Sequence, residues 1–410
     1  MKYEPLYKTY YNSKKEYHEL YESRINSNEV VKLGLEISGC DSFYLPCNEI
    51  YSLSSSILRV DKKVSLIKAQ LPEAAIHQFR MESLIDEIVI TNNIEGVHST
   101  RREIKDVIDS LGESKRHEKR FEGLINQYIL LGEKSIALQT CEDIRVLYDS
   151  LVLNEVVEND PKNAPDGEIF RKDAVDVTNA VQEVIHTGIY PEEKIIKYMQ
   201  TSLDVLNDEN LDILIRTAVF HYLFGYIHPF YDGNGRLSRF ISSYYLSKDL
   251  DPLVGNRLSY TIQDNISEYY KMFKICNDTI NKGDVTPFIT MFLRIILKAE
   301  ENLLYALTKR SNLYERNLKY VVELSNHDDW DKTTMTLCVT LLISSLFSKS
   351  GLNKKELLEH VGIKSYTTLN SKLGILKGYD LVEEQKDGNV IYYKLNYDNL
   401  SMVLDANEND

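Results

Sequence analysis

Twelve consecutive residues, His228-Pro229-Phe230-Tyr231-Asp232-Gly233-Asn234-Gly235-Arg236-Leu237-Ser238-Arg239, gather an imidazole, a carboxylate, two glycines and two guanidinium groups into one turn and the start of the next helix. The Gly-x-Gly spacing lets successive backbone N–H groups converge on an anion, and a helix N-terminus favours negative charge. Arg236 and Arg239 are three apart, so both forks can face one polyphosphate. Asp232 offers an oxygen suited to Mg²⁺, and Asn234 can donate to a phosphate oxygen. Pro229 is expected to hold His228 extended at the end of the preceding helix. An unperturbed histidine titrates near ~6.5 and is available as a base at cellular pH. Together these residues describe a nucleotide-polyphosphate site with a base beside it.

Other uses of the same residues fit less well. In a calcium loop, Arg236 would stand where the next oxygen ligand belongs. A Rossmann turn needs a third glycine and a preceding strand, and here Ser238 and a helix stand in those places. No Gly-x4-Gly-Lys-Ser/Thr occurs. A capping turn with two surface arginines is the remaining plain reading. His221, two turns before His228, reads as a core histidine.

The twelve residues resemble the signature of Fic-domain proteins, His-Pro-Phe-x-Asp-Gly-Asn-Gly-Arg-x-x-Arg, at every defined position. The resemblance implies AMP transfer from ATP to a Ser, Thr or Tyr hydroxyl of a protein, with Mg²⁺ or Mn²⁺ as the metal. By position, His228 would be the general base and Asp232 the metal ligand. Gly233, Asn234 and Gly235 would cradle the phosphates, Arg236 the β-phosphate and Arg239 the γ-phosphate. The phosphotransferase branch carries lysine where this chain has Gly235, which favours nucleotidyl transfer.

Upstream, Thr91-Asn92-Asn93-Ile94-Glu95-Gly96 is similar to the family's inhibitory motif, Ser/Thr-x-x-x-Glu-Gly/Asn. The resemblance implies that Glu95 pairs with Arg239 and so withholds it from the γ-phosphate. Glu95 lies in a last helical turn, where an unpaired negative charge costs ~0.3 to 1 kcal/mol. Gly167 to Arg171, followed by Val175 and Val177, resembles the family's flap, which would pin a target segment by strand addition. Tyr270 and Asn277 match positions expected at the adenosine, with Asn281 a competitor for the second.

Helices must position most of these groups. Only 9 prolines and 18 glycines occur, and apolar residues recur at helical spacing over most long segments, so the fold class is mainly α. A helix is expected over 73–95, ended by Gly96, with others over 100–111, 121–131, 262–280 and 285–307. Leu211 to Ile227 is apolar on all sides, as a central buried helix is. A helix over 237–246 follows the glycine turn. Val175, Val177, Val181, Val184 and Ile185 predict a small β-hairpin turning near Thr178-Asn179. The expected layout is an appended segment 1–60, an N-terminal helical region 61–135 with the inhibitory helix, a Fic core 136–308, a linker 309–329, a winged helix 330–400 and an acidic tail 401–410.

The 410 residues carry 48 Lys plus Arg against 62 Asp plus Glu, a net charge of −14, which makes nucleic acid a poor default partner. With 43% hydrophobic and 27% charged residues the chain reads as globular, and wholesale disorder is excluded. Its five scattered cysteines form no disulfide framework or zinc spacing and suit a reducing compartment. No signal peptide is evident and Thr333 to Phe347 is too short to span a bilayer, so a cytoplasmic protein without membrane contact is expected. The segment from Trp330 to Asn399 has nine lysines, no arginine and eight acids, which leaves DNA binding, protein docking and homodimerisation all open. The expected partner is a protein substrate, this chain itself among the candidates. Two rivals stand: removal of AMP with Glu95 orienting a water, and a DNA-binding regulator whose Fic core senses nucleotide.

Overall fold

The computed structural model describes residues 3–111, 119–133, 135–178 and 184–400. Asn179 and Val181 of the expected hairpin and the tail 401–410 lie outside the described residues. Two compact units divide the chain, Met1–Lys62 with Ser83–Leu303, and Lys63–Glu82 with Leu304–Asp410.

The first unit opens with helices α1 (Leu6–Asn12) and α2 (Lys14–Ile25) and a hairpin, β1 (Val31–Ile37) with β2 (Cys40–Tyr44). In chain order α3 (Asn48–Lys68), α4 (Glu73–Ile94), α5 (Arg101–Ser110), α6 (Glu122–Ile129) and α7 (Cys141–Tyr148) follow, with Lys63–Glu82 of α3 and α4 belonging to the second unit, then one π turn and α8 (Asn154–Asn159). A second hairpin, β3 (Asp176–Thr178) with β4 (Val184–Thr187), precedes α9 (Glu192–Asn207), α10 (Ile213–Ile227), α11 (Asn234–Asp249), α12 (Leu258–Asp264), α13 (Ile266–Asn277) and α14 (Thr286–His327). Polar caps set several starts: Thr100 accepts from the Glu103 amide before α5, and Asp212 accepts from Leu214 and Ile215 before α10.

Nearly every residue of α10 is buried, which is why its apolar character has no polar face. Aromatic rings close around it: Phe288 of α14 lies 5.1 Å from Tyr222 and 4.5 Å from Phe273 of α13. The first sixty residues, expected as an appended segment, are built into this unit. Tyr17 donates to the Ile280 carbonyl at 2.8 Å, Arg24 pairs with buried Asp284 at 3.3 Å, and the Phe43 amide donates to the Gly283 carbonyl. Their weak periodicity reflects docking through isolated polar anchors and a small apolar cluster of Leu6, Tyr17 and Phe43.

In the second unit the expected linker 309–329 is largely helix, the last turns of α14. Buried Ser311, Tyr314, Asn317, Val321 and Leu324 recur every three or four residues beneath the charges that suggested a connector. Then come α15 (Lys332–Phe347), β5 (Leu352–Asn353), α16 (Lys354–Val361), α17 (Tyr366–Gly378), β6 (Val382–Asp387) and β7 (Val390–Leu395). The three strands form an antiparallel sheet in the order β5-β7-β6, and the β6–β7 hairpin turns at Gly388-Asn389 with Gly388 at φ +59°. No helix among the described residues is long and apolar enough to cross a membrane.

Candidate active site

The site is the turn that joins α10 to α11. His228 ends α10 with its amide donating to the Phe224 carbonyl at 2.9 Å and its backbone at φ +53°, ψ +66°. It is therefore left-handed and not extended: the chain must stop a buried helix here, and a left-handed residue does so. Gly233, also left-handed, precedes α11, which begins three residues earlier than its apolar pattern suggested. The first bond of the helical ladder runs from the Leu237 amide to the Gly233 carbonyl, so the amides of Asn234, Gly235 and Arg236 belong to the unconsumed first turn. Those amides are the ones that the glycine spacing singled out, and a helix N-terminus favours negative charge. The loop is braced beneath, where Phe230 stacks on Tyr148 with centroids 3.7 Å apart.

Burial, with the positive charge of Arg171, lowers the His228 imidazole to about 4, and the Glu95 carboxylate opposes the shift. His228 is thus neutral near pH 7, and its Nδ1 has no hydrogen-bond partner among the described residues.

Arg239 is enclosed by the end of α4. Its Nη1 lies 2.8 Å from Glu95 Oε1, its Nε donates to the Thr91 hydroxyl at 2.8 Å, and its Nη2 donates to the Thr91 carbonyl at 3.0 Å. Burial is the strongest single influence and would depress this guanidinium, yet the charge and hydrogen bond of Glu95, with Tyr269 and Tyr128, together hold it above its ordinary value. Arg239's side chain is 2% exposed and Glu95's 25%, so the carboxylate is the partner within reach of solvent. Glu95 also sits against the cradle: a Cβ on Gly235 would meet its Oε1 at 2.0 Å. Gly96 ends the turn at φ +72°. Further back on α4, Glu87 accepts from the Ser259 amide with both oxygens, at 2.9 and 3.0 Å, which ties the body of the helix to α12.

Arg236 and Asn234 also make bonds that their place in the turn did not announce. The Arg236 Nη1 is bonded to Glu155 of α8, and both side chains are buried. The Asn234 amide clamps the turn, donating to the Phe230 carbonyl at 2.7 Å and accepting from the Phe230 amide at 2.9 Å. The composition of the turn hid this, because a short amide next to a tight turn bonds its neighbours first. Glu155 was missed altogether. Its signal was a lone acid beside Asn154 and flanked by Leu151, Val152, Leu153, Val156 and Val157, where a carboxylate, if buried, calls for a cation.

Asp232 keeps a side chain 34% exposed, with Oδ1 on the Gly233 amide at 2.5 Å and 3.9 Å from Arg236 Nη2. One such carboxylate fits a Mg²⁺ whose remaining ligands are phosphate oxygens and water. It does not make an all-protein cage, and no cluster of three or more His, Cys, Asp or Glu side chains forms one among the described residues.

Arg171 lies outside β3, which starts at Asp176. Fully buried, it donates from Nε to the His228 carbonyl and from Nη2 to the Ile189 carbonyl, each at 2.9 Å, tying the base of the hairpin to the histidine turn. Val175 and Val177 are half-buried on the hairpin, where Val177 faces His186 in register. Tyr270 is half-buried, and burial, with the Glu95 charge and against that of Arg239, raises its hydroxyl above the ordinary value. Asn277 accepts from Tyr222 at 2.6 Å, while Asn281 is fully buried and bonds the Asp284 carbonyl. His221 bridges Ser242 and Tyr269 at 2.8 Å each, the satisfied core histidine that was expected.

Residues 139–246 match the model of the Fic/DOC family. The chain is 30% identical over 100 residues to Protein adenylyltransferase fic-1 of Caenorhabditis elegans, covering 24% of this chain and 18% of that protein. It is 35% identical over 94 residues to Protein adenylyltransferase Fic of Drosophila willistoni, covering 22% and 17%. The matches thus span about a fifth of the length of those curated relatives. In fold the chain is similar to a Fic family protein from Desulfovibrio desulfuricans G20, at 18% identity and a TM-score of 0.51 over 86% of this chain and 97% of that one. The matched segment holds His228, Asp232 and both arginines, while Thr91 and Glu95 fall outside it. Residues 139–246 of this chain are a Fic domain.

Proposed function

We propose that this protein is an adenylyltransferase that moves AMP from ATP to a serine, threonine or tyrosine hydroxyl of a protein, and that Glu95 restrains it. The observation that carries the reading is the Glu95 carboxylate lodged against Gly235 and Arg239, beside a neutral His228. The first-turn amides of α11 hold phosphate oxygens and the helix dipole favours their charge. Asp232 would hold Mg²⁺ or Mn²⁺, which when bound supplies charge neutralisation for the leaving pyrophosphate. His228 takes the proton of the target hydroxyl as its oxygen bonds to the α-phosphorus, and the bond from that phosphorus to pyrophosphate breaks. With Arg239 spent on Glu95 and Thr91, one cation is withheld from the terminal phosphate. Release of Glu95 returns it.

Incubation of the Glu95→Gly protein with α-labelled ATP and Mg²⁺ tests this, read by label transfer and by a gain of one adenylyl mass. No label in that variant would reject the transferase reading. Glu95-dependent release of AMP from a pre-AMPylated protein without ATP would reassign the site to removal.

Residues 330–400 we read as a winged helix, from the order helix, short strand, two helices and hairpin. On α17, Lys372 is paired with Asp331 and Lys377 with Glu384. These pairs spend charge that a phosphate backbone would need, which supports protein docking over duplex binding.

A further inference from the structure

Arg236 is nearly inaccessible, at 1% exposure, and only one edge of its fork is occupied. Nη1 is bonded to Glu155 Oε2, whereas Nε and Nη2 have no hydrogen-bond partner among the described residues. Nη2 lies 3.9 Å from Asp232 Oδ1. A buried guanidinium with two unspent donors beside a glycine cradle is arranged to receive an anion. The opposite edge is fixed by a carboxylate that is itself held. Glu155 Oε1 accepts from the Asn159 amide at 2.5 Å and lies 3.6 Å from Arg120 Nη2, and Arg120 donates to the His98 carbonyl at 3.1 Å. Oε1 is thereby occupied, and Oε2 is left for Arg236.

We infer that Glu155 is a positioning residue. It grips Arg236 by one edge so that Nε and Nη2 meet a phosphate beyond the first, and it thereby sets a preference for nucleoside di- and triphosphates over monophosphates. The inference rests on the adenylyltransferase reading. A hydrophobic residue at 155 would leave Arg236 buried and unpaired, and free to rotate away from the cradle.

The test titrates ADP and AMP, by calorimetry, into the full chain carrying Glu95→Gly, alone and with Glu155→Gln, Arg236→Ala or both. Expected is an ADP affinity about tenfold weaker in Glu155→Gln, the scale of one lost charge-assisted bond, with AMP affinity unchanged. Adding Glu155→Gln to Arg236→Ala should cost nothing further, since the two residues act as one. Equal weakening of ADP and AMP, or losses that add, would show a role in the fold alone and overturn the assignment. So would full ADP affinity in Glu155→Gln, and in that case the adenylyltransferase reading survives. A Glu95→Gly parent that binds neither nucleotide overturns both. If Glu155→Gln does not fold, Glu155→Asp keeps the charge and shortens its reach, and the same ADP-against-AMP split decides.

Discussion

Seven residues separate His221, in the middle of α10, from His228 at its end, and burial depresses both imidazoles, to about 3 and about 4. Their surroundings differ. His221 spends both ring nitrogens, on Ser242 and Tyr269, and its backbone is ordinary helix. His228 keeps Nδ1 without a partner and sits left-handed at a helix end. A perturbed titration alone therefore does not mark a catalytic group, since structural burial produces the same shift. What separates the two is whether the hydrogen-bonding capacity is spent. The arginines of α11 repeat the lesson: Arg239 has every nitrogen engaged by Thr91 of α4 and by Glu95 just after it, while Arg236 holds two in reserve.

The sharpest way to break the comparison is to remove each histidine. His228→Ala should lower AMP transfer by roughly 10²- to 10⁴-fold or more, the contribution of a general base, with the thermal midpoint almost unchanged. Nδ1 has no hydrogen-bond partner among the described residues, so the change orphans none there. Measured label transfer within a few-fold of the parent would remove the base assignment. Glu95→Gly comes next. Freeing Arg239 and clearing the cradle should raise transfer about 5- to 150-fold, the usual range of a coupling between sites. A rate equal to or below the parent's would show that the Glu95 pair is structural.

His221→Ala should act on stability instead. It leaves the buried Tyr269 hydroxyl without its partner, while Ser242 still donates to the Ser238 carbonyl, a loss of about 1–3 kcal/mol in denaturant melts. The kcat of the folded fraction in the Glu95→Gly background should stay where it is. A drop in kcat without a stability loss would erase the distinction between the two positions.

Much of this was legible in the residues because the turn is local. Glycine spacing, a helix start and the arginine interval are properties of twelve neighbours, and the structure keeps them together. The all-round apolar character of Leu211 to Ile227 likewise announced a central helix. What was not legible is long-range pairing of charge. Nothing near Arg236 in the chain points to Glu155, 81 positions away, and nothing in Asn234 says that its amide turns back to Phe230. The 309–327 helix escaped for a related reason. Its buried stripe includes Ser311 and Asn317, whose polarity masks the period. Glu95 was found only because its six-residue pattern resembles a known one, and its seat against Gly235 emerges in three dimensions alone.

The smallest effect is a flat line. Burial lowers His228 to about 4, so the imidazole is already neutral at pH 7, and AMP transfer by the Glu95→Gly protein should be level from pH 8 down to roughly 5.5, falling only as the medium nears the folded value. Stability follows the same sign. A histidine that titrates at ~6.5 unfolded and lower when folded contributes fully above ~6.5, and that contribution is lost as pH falls toward the folded value. Glu87, whose carboxyl burial raises to about 7, faces Arg239's charge, so a step near neutrality would belong to it and should vanish in Glu87→Gln. A step near 6.5 that persists in Glu87→Gln and disappears with His228 would mean that the imidazole at the end of α10 is open to water, and the likeness between the two histidines would end there.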